Sequence, residues 1–309
     1  TEIYTLSLHD ALPISWDGFL GFSSPDLITW TAHGHIYQKN ESNYWAQYNF
    51  WAPEMVELNG KFYLFFTGIS DSSKRRTGVA VADHPLGPYV DLMAEPLTPP
   101  EHHCLDGHFV IDTDGKFYFF YVYEWINDGT GEMWVQELST DLMQLIGDPK
   151  VLFQGPDARW GNGVVDGPSL LIDQGKYFLF WSSFNQENYG KYGVGYATAD
   201  SIMGPYIQSA EPIITQDGGH TTWFYEKSTG KRMITYHQPN SKTERAQIRE
   251  LIWDEERKKW TIFPGEDLGL FGPYPRFWIR ILEYVGIGVG AVILLMIIRF
   301  AVKDRKSVV

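Results

Sequence analysis

An all-β fold made of repeated four-stranded sheets is predicted by three features of the 309-residue sequence. A turn followed by an aromatic run recurs four times, as NGKFYLFF, DGKFYFFY, QGKYFLFW and TGKRMITY. The four turn glycines are spaced 55, 60 and 55 residues apart, at Gly60, Gly115, Gly175 and Gly230. Helical periodicity is almost absent, and aromatic residues make up 16% of the chain. This combination is typical of a β-propeller, in which four-stranded blades surround a central channel.

Each period contains the strands of one blade. The turn and aromatic run form a hairpin, and a further strand and polar turn follow it, as in residues 77–89 and 192–206. Residues 16–30, WDGFLGFSSPDLITW, match only the second half of such a unit. We therefore expect a five-bladed propeller over residues 15–268 with an incomplete first blade. Because an incomplete sheet leaves its neighbours' edges uncovered, we also expect the ring to be poorly closed.

Both ends of the chain resemble translated adapter DNA. Residues 8–14, LHDALPI, correspond to one strand of a common sequencing-library adapter, and residues 304–309, DRKSVV, correspond to its reverse complement. We therefore expect residues 1–14 and 304–309 to be artefacts outside the fold, and the first half of the first blade to have been replaced.

A separate apolar element is predicted near the C-terminus. Residues 284–298 carry no charge, and aromatic and basic residues flank them. This pattern predicts a transmembrane helix over residues 284–303, preceded by a linker over 269–283. The protein would then be extracytoplasmic or at the cell surface, anchored in the membrane by a single helix. The alternative is a chimeric end, since the adapter-like residues follow directly.

The charge and cysteine content exclude several classes of function. The net charge is -13, and Lys and Arg form no dense stripe outside the last 35 residues, so we expect no nucleic-acid partner. The single cysteine, Cys104, cannot form an intramolecular disulfide and is expected to be a small buried residue. Phosphate-binding glycine loops, Cys-x-x-Cys pairs and nucleophile elbows are absent from the sequence.

Acidic residues precede the turn glycines at a repeated spacing. Asp106 and Asp166 each lie nine residues before the glycine of their own blade. A single Asp before Gly would be interpreted as a turn cap. The shared spacing, however, predicts that both carboxylates occupy the same position in the innermost strands of neighbouring blades. We therefore expect them to face one central cavity. The remaining blades bring four more residues to the same axis: Trp51, Glu54, Asp217 and His220.

Several motifs in order resemble glycoside hydrolase family 43. They are FWAPEMVELNGKFYLFF, CLDGHFVIDTDGKFYFFY, VVDGPSLL, WSSF and DGGH, and the resemblance covers roughly residues 16–265. It implies a five-bladed propeller and an inverting O-glycosyl hydrolase of the arabinofuranosidase, xylosidase or arabinanase type. The expected substrates are arabinofuranosyl or xylosyl linkages in plant-type polysaccharides or oligosaccharides. The resemblance implies no required cofactor, although a structural calcium or another cation near the propeller axis would be consistent with it.

The resemblance also implies roles for individual residues. Asp166 occupies the position of the general acid, which in the family is commonly Glu, and Asp106 matches the residue that orients the acid and tunes its pKa. Glu124 is the alternative acid, and His220 matches a histidine that often holds a central cation or water. Four residues are expected to contact the substrate: Trp51, Glu54, His108 and Trp125.

The general base implied by the resemblance is an Asp in the innermost strand of the first blade. It would lie upstream of residue 16, in the part that we expect to have been replaced, because Asp10 belongs to the adapter-like segment and Asp17 falls on the other half of the blade. We therefore expect the chain as printed to be inactive. The alternative function is a non-catalytic glycan-binding propeller that uses the same cavity, with Trp51 as a stacking platform.

Overall fold

The computed structural model describes the backbone of residues 4–7 and residues 17–185, 190–241 and 244–263 in full. Within this part of the chain there are five antiparallel sheets and no α-helix, only a single 3-10 turn at Gly155–Asp157. Four sheets have four strands each, and the first has three. The predicted all-β propeller is therefore correct for the described residues, which form four complete blades and a three-stranded first sheet.

The strands follow one another in chain order within every sheet. The first sheet contains β1 (Tyr4–Ser7), β2 (Gly18–Ser24) and β3 (Thr31–Gln38). The second contains β4 (Tyr48–Leu58), β5 (Lys61–Ile69), β6 (Arg76–Ala82) and β7 (Val90–Asp91). The third contains β8 (Cys104–Ile111), β9 (Phe117–Tyr123), β10 (Glu132–Leu138) and β11 (Leu145–Gln154). The fourth contains β12 (Asp166–Asp173), β13 (Lys176–Asn185), β14 (Lys191–Ala199) and β15 (Ile207–Gln208). The fifth contains β16 (Gly219–Tyr225), β17 (Arg232–Gln238), β18 (Arg245–Asp254) and β19 (Lys259–Ile262).

The turn glycines join the first and second strands of the complete blades, as the repeat predicts. In the fourth blade Asp173 pairs with Lys176, so that Gln174 and Gly175 alone form the turn, with φ of 50° and 76°. Positive φ at both central residues is the geometry that matches the twist of a β-hairpin, and it explains why glycine recurs here. In the third blade the turn is longer, since the last paired residues are Ile111 and Phe117.

The first sheet begins with a strand inside the segment that we expected to lie outside the fold. Tyr4–Ser7 pairs with β2, from Tyr4 opposite Ser24 to Ser7 opposite Gly21. An unpaired edge of β2 would present free N–H and C=O groups, and the pairing with β1 satisfies them. Residues 8–14, the linker 269–283, the predicted transmembrane helix 284–303 and residues 304–309 lie outside the described residues. Among the residues that are described, no helix is long and apolar enough to cross a bilayer.

Buried apolar clusters lie between neighbouring sheets around the ring. Four of them join consecutive sheets from the first to the fifth, and Cys104 is buried in the cluster between the second and third. A fifth cluster packs Leu27 and Trp30 of the first sheet against Met233 and Ile248 of the fifth. This cluster brings the first and fifth sheets into contact. The closing residues come from the β2–β3 turn and do not depend on the incomplete part of the sheet.

Candidate active site

The innermost strand of each complete blade carries a β-bulge at the same place. In β4, Trp51 lies opposite Thr67 and Glu54 lies opposite Phe65. Two residues of β4 therefore lie between these pairs, against one residue of β5. One extra residue is inserted in the same way in the other three blades, at Leu105–His108, Asp166–Ser169 and Gly219–Thr222. The bulges provide a structural alignment of the blades that is independent of the turn glycines. They also bend the strand and redirect its side chains.

The second residue of each bulge has a positive φ. The values are 47°, 55°, 55° and 53°, at Ala52, Asp106, Gly167 and His220. This left-handed region is uncommon for residues with a side chain, and strained residues of this kind concentrate at functional sites. Two of the four, Asp106 and His220, are residues that the sequence motifs had already indicated.

The bulges correct the predicted equivalence of Asp106 and Asp166. Asp106 is the second residue of its bulge, whereas Asp166 is the first residue of its own. The equal spacing to Gly115 and Gly175 is misleading because the third blade has one extra residue between the bulge and the turn glycine. The two carboxylates nevertheless belong to one site, since Asp106 accepts a hydrogen bond from the residue that follows Asp166.

Hydrogen bonds between blades hold the positive-φ residues in place. The N–H of Asp106 donates to Oγ1 of Thr67 at 3.0 Å, and the N–H of His220 donates to Oγ of Ser182 at 2.8 Å. Thr67 and Ser182 occupy the same position, opposite the first bulge residue, on the second strand of the preceding blade. A strained backbone conformation persists only where its surroundings fix it, and these bonds supply such a constraint.

The same position in the third blade is Val122, which has no hydroxyl. The N–H of Gly167 donates instead to Oδ2 of Asp106 at 2.8 Å. The Asp106 carboxylate, which is 6% exposed, thus takes the place of the missing hydroxyl. It is held by the backbone of the strand that carries Asp166.

Asp166 is a half-buried carboxyl with a strongly altered acidity. Burial and then the Asp106 carboxylate raise the pKa of Asp166 to about 7, and Glu124 acts in the same direction. The hydroxyl of Tyr192, which donates to Oδ2 of Asp166 at 2.9 Å, and the nearby His220 oppose this rise. A carboxyl group that stays protonated near neutral pH is suited to donate a proton.

His220 lies beside the carboxylates, as the motifs predict. Its Nδ1 is 3.6 Å from Oδ2 of Asp106, and its side chain is about one-third exposed. In the described part of the chain, no group of three or more His, Cys, Asp or Glu side chains could hold a metal ion. The cation near the propeller axis stays a prediction, and no chemical step below depends on it.

Glu124 is engaged in a buried ion pair with Arg75. Burial raises the pKa of Glu124, and the Arg75 guanidinium opposes this rise. The same guanidinium lies 4.2 Å from the centre of the Trp51 ring, so one face of that ring is covered. Sequence reasoning missed Arg75. The available signal was a basic run, Lys74 to Arg76, at the start of a buried strand in an acidic chain.

Glu54 and His108 bind each other, and their predicted contact with the substrate stays a prediction. Nδ1 of His108 is 2.6 Å from Oε2 of Glu54, and Nε2 accepts the N–H of Leu170 at 2.9 Å. His108 is only 8% exposed, and both of its ring nitrogens are engaged within the protein. These contacts connect the second, third and fourth blades. Trp125 differs, because 46% of its surface is exposed in the turn after β9.

Comparison with known proteins identifies the family. The sequence model of glycosyl hydrolases family 43 matches residues 7–260. An endo-arabinase from Bacteroides thetaiotaomicron is 34% identical, with a TM-score of 0.77 over 82% of this chain and 90% of that one. A thermostable family-43 glycoside hydrolase is 25% identical, with a TM-score of 0.74 over 87% of this chain and 94% of that one.

A curated relative, a beta-D-galactofuranosidase of Aspergillus niger, is 29% identical over 208 residues, which are 63% of this chain and 57% of that protein. The chain spans about half the length of the curated relatives that it matches. The family match covers most of the sequence, including every bulge described above. The chain therefore belongs to glycosyl hydrolases family 43.

Proposed function

We propose that the chain carries the site of an inverting glycosidase for arabinofuranosyl or xylosyl linkages, with Asp166 as the general acid. The observation that carries this proposal is the placement of two carboxyl groups in one site, since Asp106 accepts the N–H of Gly167, the residue next to Asp166. Burial and Asp106 raise the pKa of Asp166 to about 7, which supports its role as the acid. Protonated Asp166 donates its proton to the glycosidic oxygen as the bond from that oxygen to the anomeric carbon breaks. Water attacks the opposite face of the sugar and inverts the anomeric centre.

Asp166 is a better acid than Glu124 in this structure. Glu124 forms an ion pair with Arg75, which favours its charged form, so that proton donation would compete with the pair. The hydrogen-bond partner given for Asp166 is the neutral hydroxyl of Tyr192, and the largest effect of a neighbouring charge on its pKa comes from the Asp106 carboxylate. Asp106 has the supporting role, since its charge keeps the proton on Asp166.

An inverting reaction also needs a base about 6.5 to 9.5 Å from the acid. We propose an aspartate of the innermost strand of the first sheet, as the family resemblance implies. The four described residues of that strand, Tyr4–Ser7, include no carboxylate. Activity measurements on the printed chain should therefore include formate or azide, since a small anion can replace a missing catalytic carboxylate.

The substrate class rests on the relatives and on the aromatic residues. The relatives' names include endo-arabinase, arabinoxylan arabinofuranohydrolase and beta-xylosidase. Trp125 is exposed, so its ring can stack against a sugar ring. Glu54 and His108 we assign to supporting the wall of the cavity, because each is bound to the other.

The test compares leaving groups in the presence of formate. The Asp166→Asn variant should lose about 100-fold or more in kcat/KM on phenyl arabinofuranosides or xylosides, which need a proton on the leaving oxygen. It should lose about 10-fold or less on 2,4-dinitrophenyl glycosides, whose leaving group needs no acid. The matched control is Asp173→Asn at the other end of β12, where the carboxylate pairs with Arg232.

Equal losses on both leaving groups, or no loss on either, would exclude Asp166 as the acid. Binding of arabino-oligosaccharides without any release of phenol or dinitrophenol by the unaltered chain would favour the glycan-binding alternative.

A further inference from the structure

A buried tyrosine lies behind the candidate acid. Tyr192, the second residue of β14, is 4% exposed, and its hydroxyl donates to Oδ2 of Asp166 at 2.9 Å. β14 is the third strand of the fourth blade, so this contact reaches past β13 to the innermost strand. Tyr192 follows a lysine and precedes Gly-Val-Gly, and no motif in the sequence indicates it.

The DGGH motif of the fifth blade holds Tyr192 in place. Oδ1 of Asp217 accepts the N–H of Tyr192 at 3.2 Å, and the N–H of Gly218 donates to the Tyr192 carbonyl at 3.1 Å. A Cβ atom on Gly219 would lie 2.1 Å from the Tyr192 ring, so only glycine leaves room for that ring. The motif therefore does more than supply His220, because its first three residues form a cradle for Tyr192.

The Tyr192 ring is packed against two other rings. The centre of the Phe184 ring is 5.1 Å from it, and that of the His237 ring is 5.5 Å from it. Nδ1 of His237 is in turn 2.6 Å from Oε2 of Glu244. The position of the phenol hydroxyl is thus fixed both by backbone hydrogen bonds and by ring packing.

We propose that Tyr192 is a positioning residue that holds Oδ2 of Asp166 and thereby leaves Oδ1 to carry the proton donated to the glycosidic oxygen. This inference rests on the proposed glycosidase function and names a residue that the family motifs do not include. Burial and the nearby Asp166 and Asp106 carboxylates raise the pKa of Tyr192 well above its ordinary value. Tyr192 therefore keeps its proton over the pH range in which Asp166 titrates.

The charges around Asp166 determine the sign of the expected effect. Asp106 from β8 and Glu124 after β9 raise the pKa of Asp166, whereas the Tyr192 hydroxyl and His220 from β16 lower it. Behind the tyrosine lie Asp217, His237 and Glu244. Loss of the hydroxyl removes a hydrogen bond to the ionised carboxylate, so the pKa of Asp166 should rise further.

The test is the Tyr192→Phe variant, with the carboxyl titration of Asp166 followed by carbon-13 NMR and assigned with Asp166→Asn. We expect the titration midpoint to rise by about one pH unit, since hydrogen bonds to charged groups are worth that much. The basic limb of the pH profile of kcat/KM on a phenyl glycoside should move to higher pH by the same amount. KM should change little.

The matched control is Tyr196→Phe on the same strand, which removes a phenol hydroxyl that accepts the N–H of Trp260 and does not touch Asp166. An unchanged or lower midpoint in Tyr192→Phe, or an equal shift in Tyr196→Phe, would overturn the inference. Because the NMR titration needs no turnover, it decides the role of Tyr192 even if the chain proves inactive.

Discussion

Asp106 combines a strained backbone with two separate tasks. Its φ of 55° is fixed by the hydrogen bond from its N–H to Thr67, and its carboxylate accepts the N–H of Gly167. The same carboxylate raises the pKa of Asp166. One side chain therefore joins the third and fourth blades and raises the pKa of Asp166 on the fourth.

The Asp106→Asn variant separates these tasks. The amide oxygen can still accept the N–H of Gly167, so the free energy of unfolding should change by less than about 1 kcal/mol. The pKa of Asp166 should fall, because the negative charge that raises it is gone. The basic limb of the pH profile of kcat/KM should therefore move to lower pH, opposite to its shift in Tyr192→Phe.

The pH profile on a phenyl glycoside measures this shift, and denaturant unfolding measures the stability. An upward or absent shift in Asp106→Asn would contradict the assigned role. Asp106→Ala is the matched comparison, since it loses the hydrogen-bond acceptor as well as the charge and should also be destabilised.

At the scale of elements, the bulges place the site more directly than the turn glycines do. The turn glycines correctly predict the hairpin of each complete blade, because a tight turn requires positive φ. They wrongly predict that Asp106 and Asp166 occupy equivalent positions, since the third blade has one extra residue between its bulge and its turn glycine. A bulge leaves no local pattern in the sequence that would have corrected this.

Contacts between strands and between blades were equally invisible to sequence reasoning. Tyr192 is 26 residues from Asp166, and Arg75 is 49 residues from Glu124, so no motif contains either pair. By contrast, Asp106, Asp166 and His220 stand within short motifs and were predicted. Sequence reasoning did not predict β1, because residues 8–14 resemble translated adapter DNA and residues 1–14 contain no Gly-Lys-aromatic turn.

The hydroxyls on the second strands should measure how strongly the bulges are held. Thr67→Val and Ser182→Ala remove the acceptors of the Asp106 and His220 N–H groups. Each variant should lose about 1–3 kcal/mol in the free energy of unfolding, because a buried donor is left without its partner. Urea unfolding measures the loss.

A suitable control is Thr198→Val, whose hydroxyl makes only a 3.4 Å contact with a carbonyl. Its free energy of unfolding should change by less than about 0.5 kcal/mol. Losses in Thr67→Val and Ser182→Ala no larger than this would mean that the bulges are held by packing alone.

At the scale of the whole molecule, the ring keeps groups from different blades at fixed distances. Glu54, His108 and the backbone of Leu170 form a hydrogen-bonded chain across three blades, which the Trp223 indole N–H extends to the fifth at 2.8 Å. Leu27 closes the ring against the fifth sheet. Asp106 and Asp166 come from neighbouring blades, so their spacing depends on the packing between the third and fourth sheets.

The central claim is that the folded chain holds Asp166 in its protonated form, and folding stability reports this directly. The pKa of an unfolded Asp is about 3.9, and that of Asp166 in the folded chain is raised to about 7. Between these values the folded state keeps a proton that the unfolded state has lost. The free energy of unfolding must therefore fall as the pH rises, and the contribution is complete only below the unfolded pKa.

The decisive measurement is the free energy of unfolding of the unaltered chain minus that of Asp166→Asn, from about pH 4 to about pH 7. Asn carries no titrating proton, so the subtraction isolates the contribution of Asp166. We predict that the difference falls with rising pH, by at most about 1.4 kcal/mol per pH unit. A difference that stays constant or rises over this range would contradict the assignment of Asp166 as the acid.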